Sequence, residues 1–203
     1  MNHKLMTLGG LACLALVASA SGAPFTNGSF EDPQITTGTY TDGVTPSSWS
    51  KSTPSNVLLF AAPFDYANPT DGVQGIVLNS ANGSDAISQT FDTVVGTTYA
   101  LTFDLGIEYG APKPEQDQIY VSATGTADQW FSTPVSTATW AYNTEVYQFT
   151  ATGSSTVAEF GQVGGFNYSP VLDNVQLTIV PEPASLLLLG CATVLMIKRH
   201  RRA

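Results

Sequence analysis

Hydrophobic and polar positions alternate most regularly from Thr98 to Leu105, where Tyr99, Leu101, Phe103 and Leu105 are separated by Ala100, Thr102 and Asp104. That period of two is the pattern of a strand with one face in a core. Weaker runs of the same kind occur at Val57 to Phe60, Val73 to Leu78, Ala86 to Phe91, Gln118 to Ala123, Val146 to Thr150, Thr156 to Phe160 and Val171 to Ile179. No segment between residues 21 and 180 has convincing helical periodicity, and Gly, Pro, Ser, Thr and Asn punctuate it throughout. The pattern predicts an all-β chain folded as a jelly-roll-like antiparallel β-sandwich. Tyr99, Phe103 and Phe149 belong to its core by their alternation. Asp92 to Thr97 reads as a tight connection, and Gly106 to Asp117, with Pro112 and Pro114, as a long loop at one end. The first part of the body is turn-rich.

The two ends follow a different pattern. Residues 1–20 have a short polar start with Lys4, an apolar run from Leu5 to Val17 and then Ala18-Ser19-Ala20. This is the three-part layout of a secretory signal peptide, cut after Ala20 by signal peptidase. The apolar run is too short for the ~20 residues that span a bilayer, which argues against an uncleaved anchor. Residues 181–203 open with Pro181-Glu182-Pro183, continue through the apolar run Ala184 to Ile197 and end in Lys198-Arg199-His200-Arg201-Arg202. As a helix, 14 residues extend roughly 21 Å, less than the ~30 Å hydrocarbon core, and snorkelling Lys198, Arg199, Arg201 and Arg202 would help to cover the difference. A C-terminal membrane helix with its basic end in the cytoplasm and the body on the far side is the expectation. The alternative, a buried helix of the globular fold, would have no polar face for solvent.

One body domain remains between the ends, residues 21–180, and its composition excludes several chemistries. The formal charge of the 203-residue chain is −9, but the body holds only Lys51 and Lys113 against 15 of the 16 carboxylates, or 2 − 15 = −13. Such a body has no means of replacing counterions around phosphates, so nucleic acid is not a partner. His3, His200, Cys13 and Cys191 all lie in the ends. The body therefore has no Ser-His-Asp or Cys-His catalysis, no disulfide, and no zinc site of histidine or cysteine.

The C-terminal layout resembles the bacterial PEP-CTERM sorting signal. Val180-Pro181-Glu182-Pro183-Ala184-Ser185 corresponds to the motif, Leu186 to Ile197 to the membrane segment, and Lys198 to Arg202 to the basic end. The resemblance implies processing by an exosortase, a membrane enzyme that cuts near the motif, and retention at the cell surface or in an exopolysaccharide matrix.

The body shows a second resemblance. Asn27-Gly28-Ser29-Phe30-Glu31, Trp49, the stretch Gly83 to Gly106 and Leu172-Asp173-Asn174-Val175 stand in the order seen in galactose-binding-like β-sandwiches. The subgroup most similar is an uncharacterised exported domain shared by plant cell-wall proteins and surface-anchored bacterial proteins; xylanase-associated carbohydrate-binding modules are more distant. The resemblance implies a structural calcium ion, with Glu31 and Asp173 as ligands tying the first strand to the last. Asn174 stands where paired aspartates are frequent. The other reading has Glu31 solvated and Asp173 holding a turn. Trp49 is expected to pack under the first turn.

Sugar binding calls for an exposed aromatic ring flanked by amides and carboxylates. Trp130, Trp140 and Tyr109 fall in or beside expected loops and are the candidates, with Asp128, Gln129 and Asn143 nearby in sequence. Asn27-Gly28-Ser29 and Asn82-Gly83-Ser84 match glycosylation acceptors and are read as turns. Paired carboxylates are the remaining route to catalysis, and Glu108, Glu115 and Asp117 cluster around the long loop. The expectation is an exported, non-catalytic protein that binds or organises extracellular polysaccharide. The alternatives are a structural or adhesive surface protein with a protein partner and a carboxylate-dependent glycan-active enzyme.

Overall fold

A computed structural model describes residues 23–52, 56–65, 67–78, 84–107, 116–135, 140–163 and 169–181. The signal-peptide assignment, the PEP-CTERM motif beyond Pro181, the apolar run and the basic end lie outside these residues, as do Tyr109, Glu108 and Glu115.

Eleven strands form the described body: β1 (Tyr40–Thr41), β2 (Ser50–Lys51), β3 (Val57–Ala61), β4 (Gln74–Leu78), β5 (Ser84–Asp92), β6 (Thr98–Ile107), β7 (Gln118–Ala123), β8 (Gln129–Ser132), β9 (Tyr142–Thr150), β10 (Ser155–Val163) and β11 (Pro170–Ile179). They build an antiparallel sandwich. One sheet has six strands in the order β1-β3-β4-β11-β6-β9, and the other has five in the order β2-β5-β10-β7-β8. All eight expected runs are strands, and several extend further than their alternation indicated. The short strands β1, β2 and β8 were not expected, because two to four residues are too few to display a period.

The core lies between the sheets, as period-two patterning requires. Tyr99, Leu101, Phe103 and Leu105 of β6 all face it, together with Leu59, Ile76, Ile87, Phe91, Val121, Phe149, Phe160 and Leu172. Trp49 is a hub of this layer. Its ring centroid lies 5.1 Å from Phe30, 5.7 Å from Phe25 and 6.1 Å from Phe160. Its indole N–H donates to the Asn27 carbonyl at 2.9 Å, so it does pack under the first turn. Asn27 makes that turn, taking φ 53° and bonding Asp32 and Ser47 through its side chain.

The segment before β1 has no long strand of its own and is held by buried glutamines. Gln89 pairs with both backbone groups of Thr26, and Gln74 donates to the Phe30 and Pro33 carbonyls while accepting from Ile35 N. Gly28 seals the start of the body to β11: its carbonyl accepts from Val175 N at 2.9 Å, and a Cβ there would lie 1.8 Å from the Val175 carbonyl oxygen.

Candidate functional site

On the outer face of the five-stranded sheet, β7 and β8 pair so that Tyr120 stands directly opposite Trp130. Their neighbours Val121, Ile119 and Phe131 point into the core, which sends these two rings outward. The rings meet edge to face with centroids 5.7 Å apart. Tyr120 can lie across the sheet because Gly161 is its partner on β10: a Cβ at Gly161 would meet the Tyr120 ring at 2.3 Å. The phenol then reaches Glu159 on the same strand and donates to its Oε1 at 2.7 Å. Burial and the Glu159 carboxylate both push the Tyr120 hydroxyl above its ordinary value, so it remains a hydrogen-bond donor. Glu159 stands between Ser88 and Ser122 in register, and Ser88 pairs in turn with Ser50. Trp130, 49% exposed, stands in the adjacent row, in register with Tyr120 and Gly161. A half-exposed indole, a phenol, a carboxylate and a line of hydroxyls on one sheet face can stack on a flat apolar ring and bond its polar rim.

The outer face of the six-stranded sheet carries a second polar cluster, and it is covered. Asp173 on β11 and Asp104 on β6 are partners in register, and both are buried. Asp173 is 0% exposed, because the segment after β3 folds over it. Its Oδ2 accepts from Thr70 N at 2.6 Å, Asp71 N at 2.9 Å and Thr70 Oγ1 at 3.2 Å, and its Oδ1 accepts from Asn174 N at 2.7 Å. Asp104 accepts from Thr144 Oγ1 and Asn174 Nδ2. Tyr142 lies over Gly106, where a Cβ would meet its ring at 2.4 Å, and its hydroxyl donates to the Asn68 carbonyl at 2.5 Å. Beneath the same segment Phe60, Ala67, Val77 and Val171 make a small apolar cluster of their own. Burial pushes Asp173 up to about 7, although the N–H donors from Asp71, Asn174 and Thr70 pull the other way. These two acids are aimed at a covering loop, not at an open cleft.

Glu31 grips that loop from its other end. Its Oε1 accepts from Val73 N and Gln74 N, both at 2.7 Å, and Gly72 between the two carboxylates has φ 71°. Glu31 and Asp173 therefore share one segment, Thr70 to Gln74, which joins the start of the body to its last strand. The calcium expected between them would need six to eight oxygens, and the described residues bring no three of Asp, Glu, His and Cys together. Amide donors already engage Oε1 of Glu31 and both oxygens of Asp173. Asn174 takes φ 52° at an irregularity in the β6–β11 ladder, a conformation that asparagine tolerates better than most residues.

The other expected residues are scattered. Trp130 lies within β8, just after the turn that precedes this strand, because Phe131 beside it is a core position that draws the segment into the sheet. Trp140, 46% exposed, precedes β9 at the edge of the opposite sheet. Asp128 sits in the turn before β8, and Asn143 is exposed on β9. Asp117 is buried, accepts from Gln118 N and Gln162 Nε2, and is pushed up by that burial. Tyr120, Glu159 and Gly161 were not recognised as site residues. The detectable signal was a tyrosine at an outward position of one run and a glycine inside another, but only strand order shows that they touch.

No curated protein matches this chain. Among solved structures, an arabinose-bound α-L-arabinofuranosidase aligns with a TM-score of 0.53 at 10% identity, over 76% of this chain and 26% of that one. The K1 cleaved adhesin domain of Lys-gingipain from Porphyromonas gingivalis aligns at 0.51 and 13%, over 68% of this chain and 94% of that domain. A family 16 carbohydrate-binding module overlays at 0.46 and 18%, over 75% and 97%. This chain spans about a quarter of the arabinofuranosidase, and at such identities the likeness concerns the β-sandwich fold alone. A family model described as "Protein of unknown function (DUF642)" matches residues 23–178, the whole sandwich from its first turn to its last strand, and the chain belongs to that family.

Proposed function

We propose that the body binds neutral polysaccharide, without turning it over, on the outer face of the five-stranded sheet. The observation that carries this reading is the Tyr120–Trp130 pair beside Glu159. The tyrosine is fixed by Gly161 below and the carboxylate at its tip, so little side-chain freedom is lost when a sugar ring docks. Charge selects the polymer class. Lys51 is the only cationic side chain among the described residues, and its ammonium is engaged by the Asp42 and Val57 carbonyls. A uronate-rich chain would meet Glu159 and Asp128 with nothing to neutralise it, whereas a neutral chain meets hydroxyls and rings.

Export and retention complete the reading. Signal peptidase removes residues 1–20, the apolar run inserts in the membrane, and an exosortase processes the tail at Pro181-Glu182-Pro183. These steps rest on the sequence pattern of the two ends. The full chain, assayed against neutral xylan, galactan and β-glucan beside polygalacturonate, should bind a neutral polymer with little dependence on salt. Trp130→Ala should weaken that binding by about tenfold, or ~1.4 kcal/mol. Unchanged affinity in that variant, or no neutral polymer bound at all, would refute the assignment.

A further inference from the structure

The turn between β5 and β6 is unusual in chemistry. Tight connections normally carry polar residues or glycine, yet this one displays Val94 and Val95, 44% and 63% exposed. The two valines sit on a turn held by hydrogen bonds on either side. The Tyr99 hydroxyl oxygen accepts from Val94 N at 2.9 Å, Thr97 N bonds the Val94 carbonyl, and Gly96, at φ 80°, donates to the Ala151 carbonyl. Thr93 Oγ1 bonds Gly153 and Thr156 behind them. Ile179, 61% exposed, lies at the same end of the sandwich, where Val180 N bonds the Thr98 carbonyl. Between them runs a cleft of about 340 Å³ lined by Ala23, Pro24, Val94, Tyr99, Leu177 and Ile179, among others. The start of the described body is there too, since Asp92 N bonds the Ala23 carbonyl.

This apolar end is where the chain departs for the tail. Five Cα steps separate Ile179 from Ala184, the first residue of the apolar run, a reach of at most about 18 Å. We infer that Val94, Val95 and Ile179 form a bilayer-contacting surface that seats the sandwich end-on upon the membrane's outer leaflet. The inference rests on the membrane reading of the tail given above. Once that segment is inserted, and until the tail is processed at Pro181-Glu182-Pro183, the short tether holds the valine turn within reach of the interface, and even a small apolar surface is then repeatedly presented to the lipid. The described residues near the patch offer no cation, and Asp92 borders the cleft, so a zwitterionic surface fits and an anionic one does not.

The test uses the full chain, with Cys13 and Cys191 replaced by Ser, in phosphatidylcholine vesicles. An environment-sensitive fluorophore is attached at Val95→Cys or, at the opposite end of the sandwich, at Gln118→Cys. Spin-labelled lipid should quench the label at 95 at least about threefold more than the label at 118. Val94→Ser in the Val95→Cys background should abolish the difference while leaving vesicle association intact. Equal quenching at the two sites in a chain that floats with vesicles overturns this inference alone. A chain that does not associate with vesicles overturns the membrane reading of the tail and this inference with it. A label at 95 shielded equally without lipid shows that protein covers the patch, which also overturns it.

Discussion

Asp173 shows how one side chain carries more than its position announces. It is fully buried, faces Asp104 across the ladder, lies near Tyr142, and holds the Thr70–Asp71 backbone. Its folded value of about 7 lies above the ordinary 3.8, so the folded protein holds this proton more tightly than the unfolded chain does. The contribution to stability is therefore fully present below pH ~4 and is lost as pH rises toward ~7, by at most about 4 kcal/mol. Asp117, raised by burial as well, adds in the same direction. Thermal melts between pH 4 and 7 should show a decline that is shallower in Asp173→Asn; an identical pH profile in the variant would disprove the link. Asp173→Ala should cost roughly 2–5 kcal/mol below pH ~4, because it leaves several amide donors beneath the loop without an acceptor, and less as pH rises toward ~7.

At the scale of the element, β7 and β10 show why one strand's chemistry depends on another's glycine. Tyr120 covers the gap left by Gly161, and Tyr142 covers Gly106 on the opposite sheet in the same manner. A side chain at Gly161 must displace the Tyr120 ring from its place beside Trp130 and Glu159. Gly161→Val should therefore weaken glycan binding as much as Trp130→Ala does, with the sandwich still folded by circular dichroism; retained affinity would show that Tyr120 placement is irrelevant. The analogous Gly106→Val change should instead lower stability, since Tyr142 anchors the covering loop through Asn68. Element positions were legible in the sequence wherever a run was long enough to show its period, as in β6 and β7. Trp130 is half-exposed, and the strand that carries it was not legible, because a four-residue edge strand has no pattern to display.

The whole molecule is dominated by its charge. A body of −13 formed from residues 21–180 repels its own copies until the charge is screened or bridged. Millimolar calcium should raise the melting temperature or the apparent size of the purified chain, and chelation should reverse it. Glu31→Gln separates a defined site from general screening: loss of the calcium effect in that variant would make Glu31 a ligand, and its persistence would assign the effect to the surface. Absence of any calcium response would refute both readings.

What the chain's residues determined by themselves was the class of fold and the range of chemistry. Alternation at fixed spacing is a local property, and so are the missing histidines and thiols of the body and the apolar and basic ends. Tertiary structure decided which outward-facing side chains meet. Tyr120, Trp130, Glu159 and Gly161 come from three strands, and Glu31, Thr70 and Asp173 from segments separated by dozens of residues. Strand order and register bring them together, and both are set by how the two sheets bury one common core, which no single stretch of sequence contains.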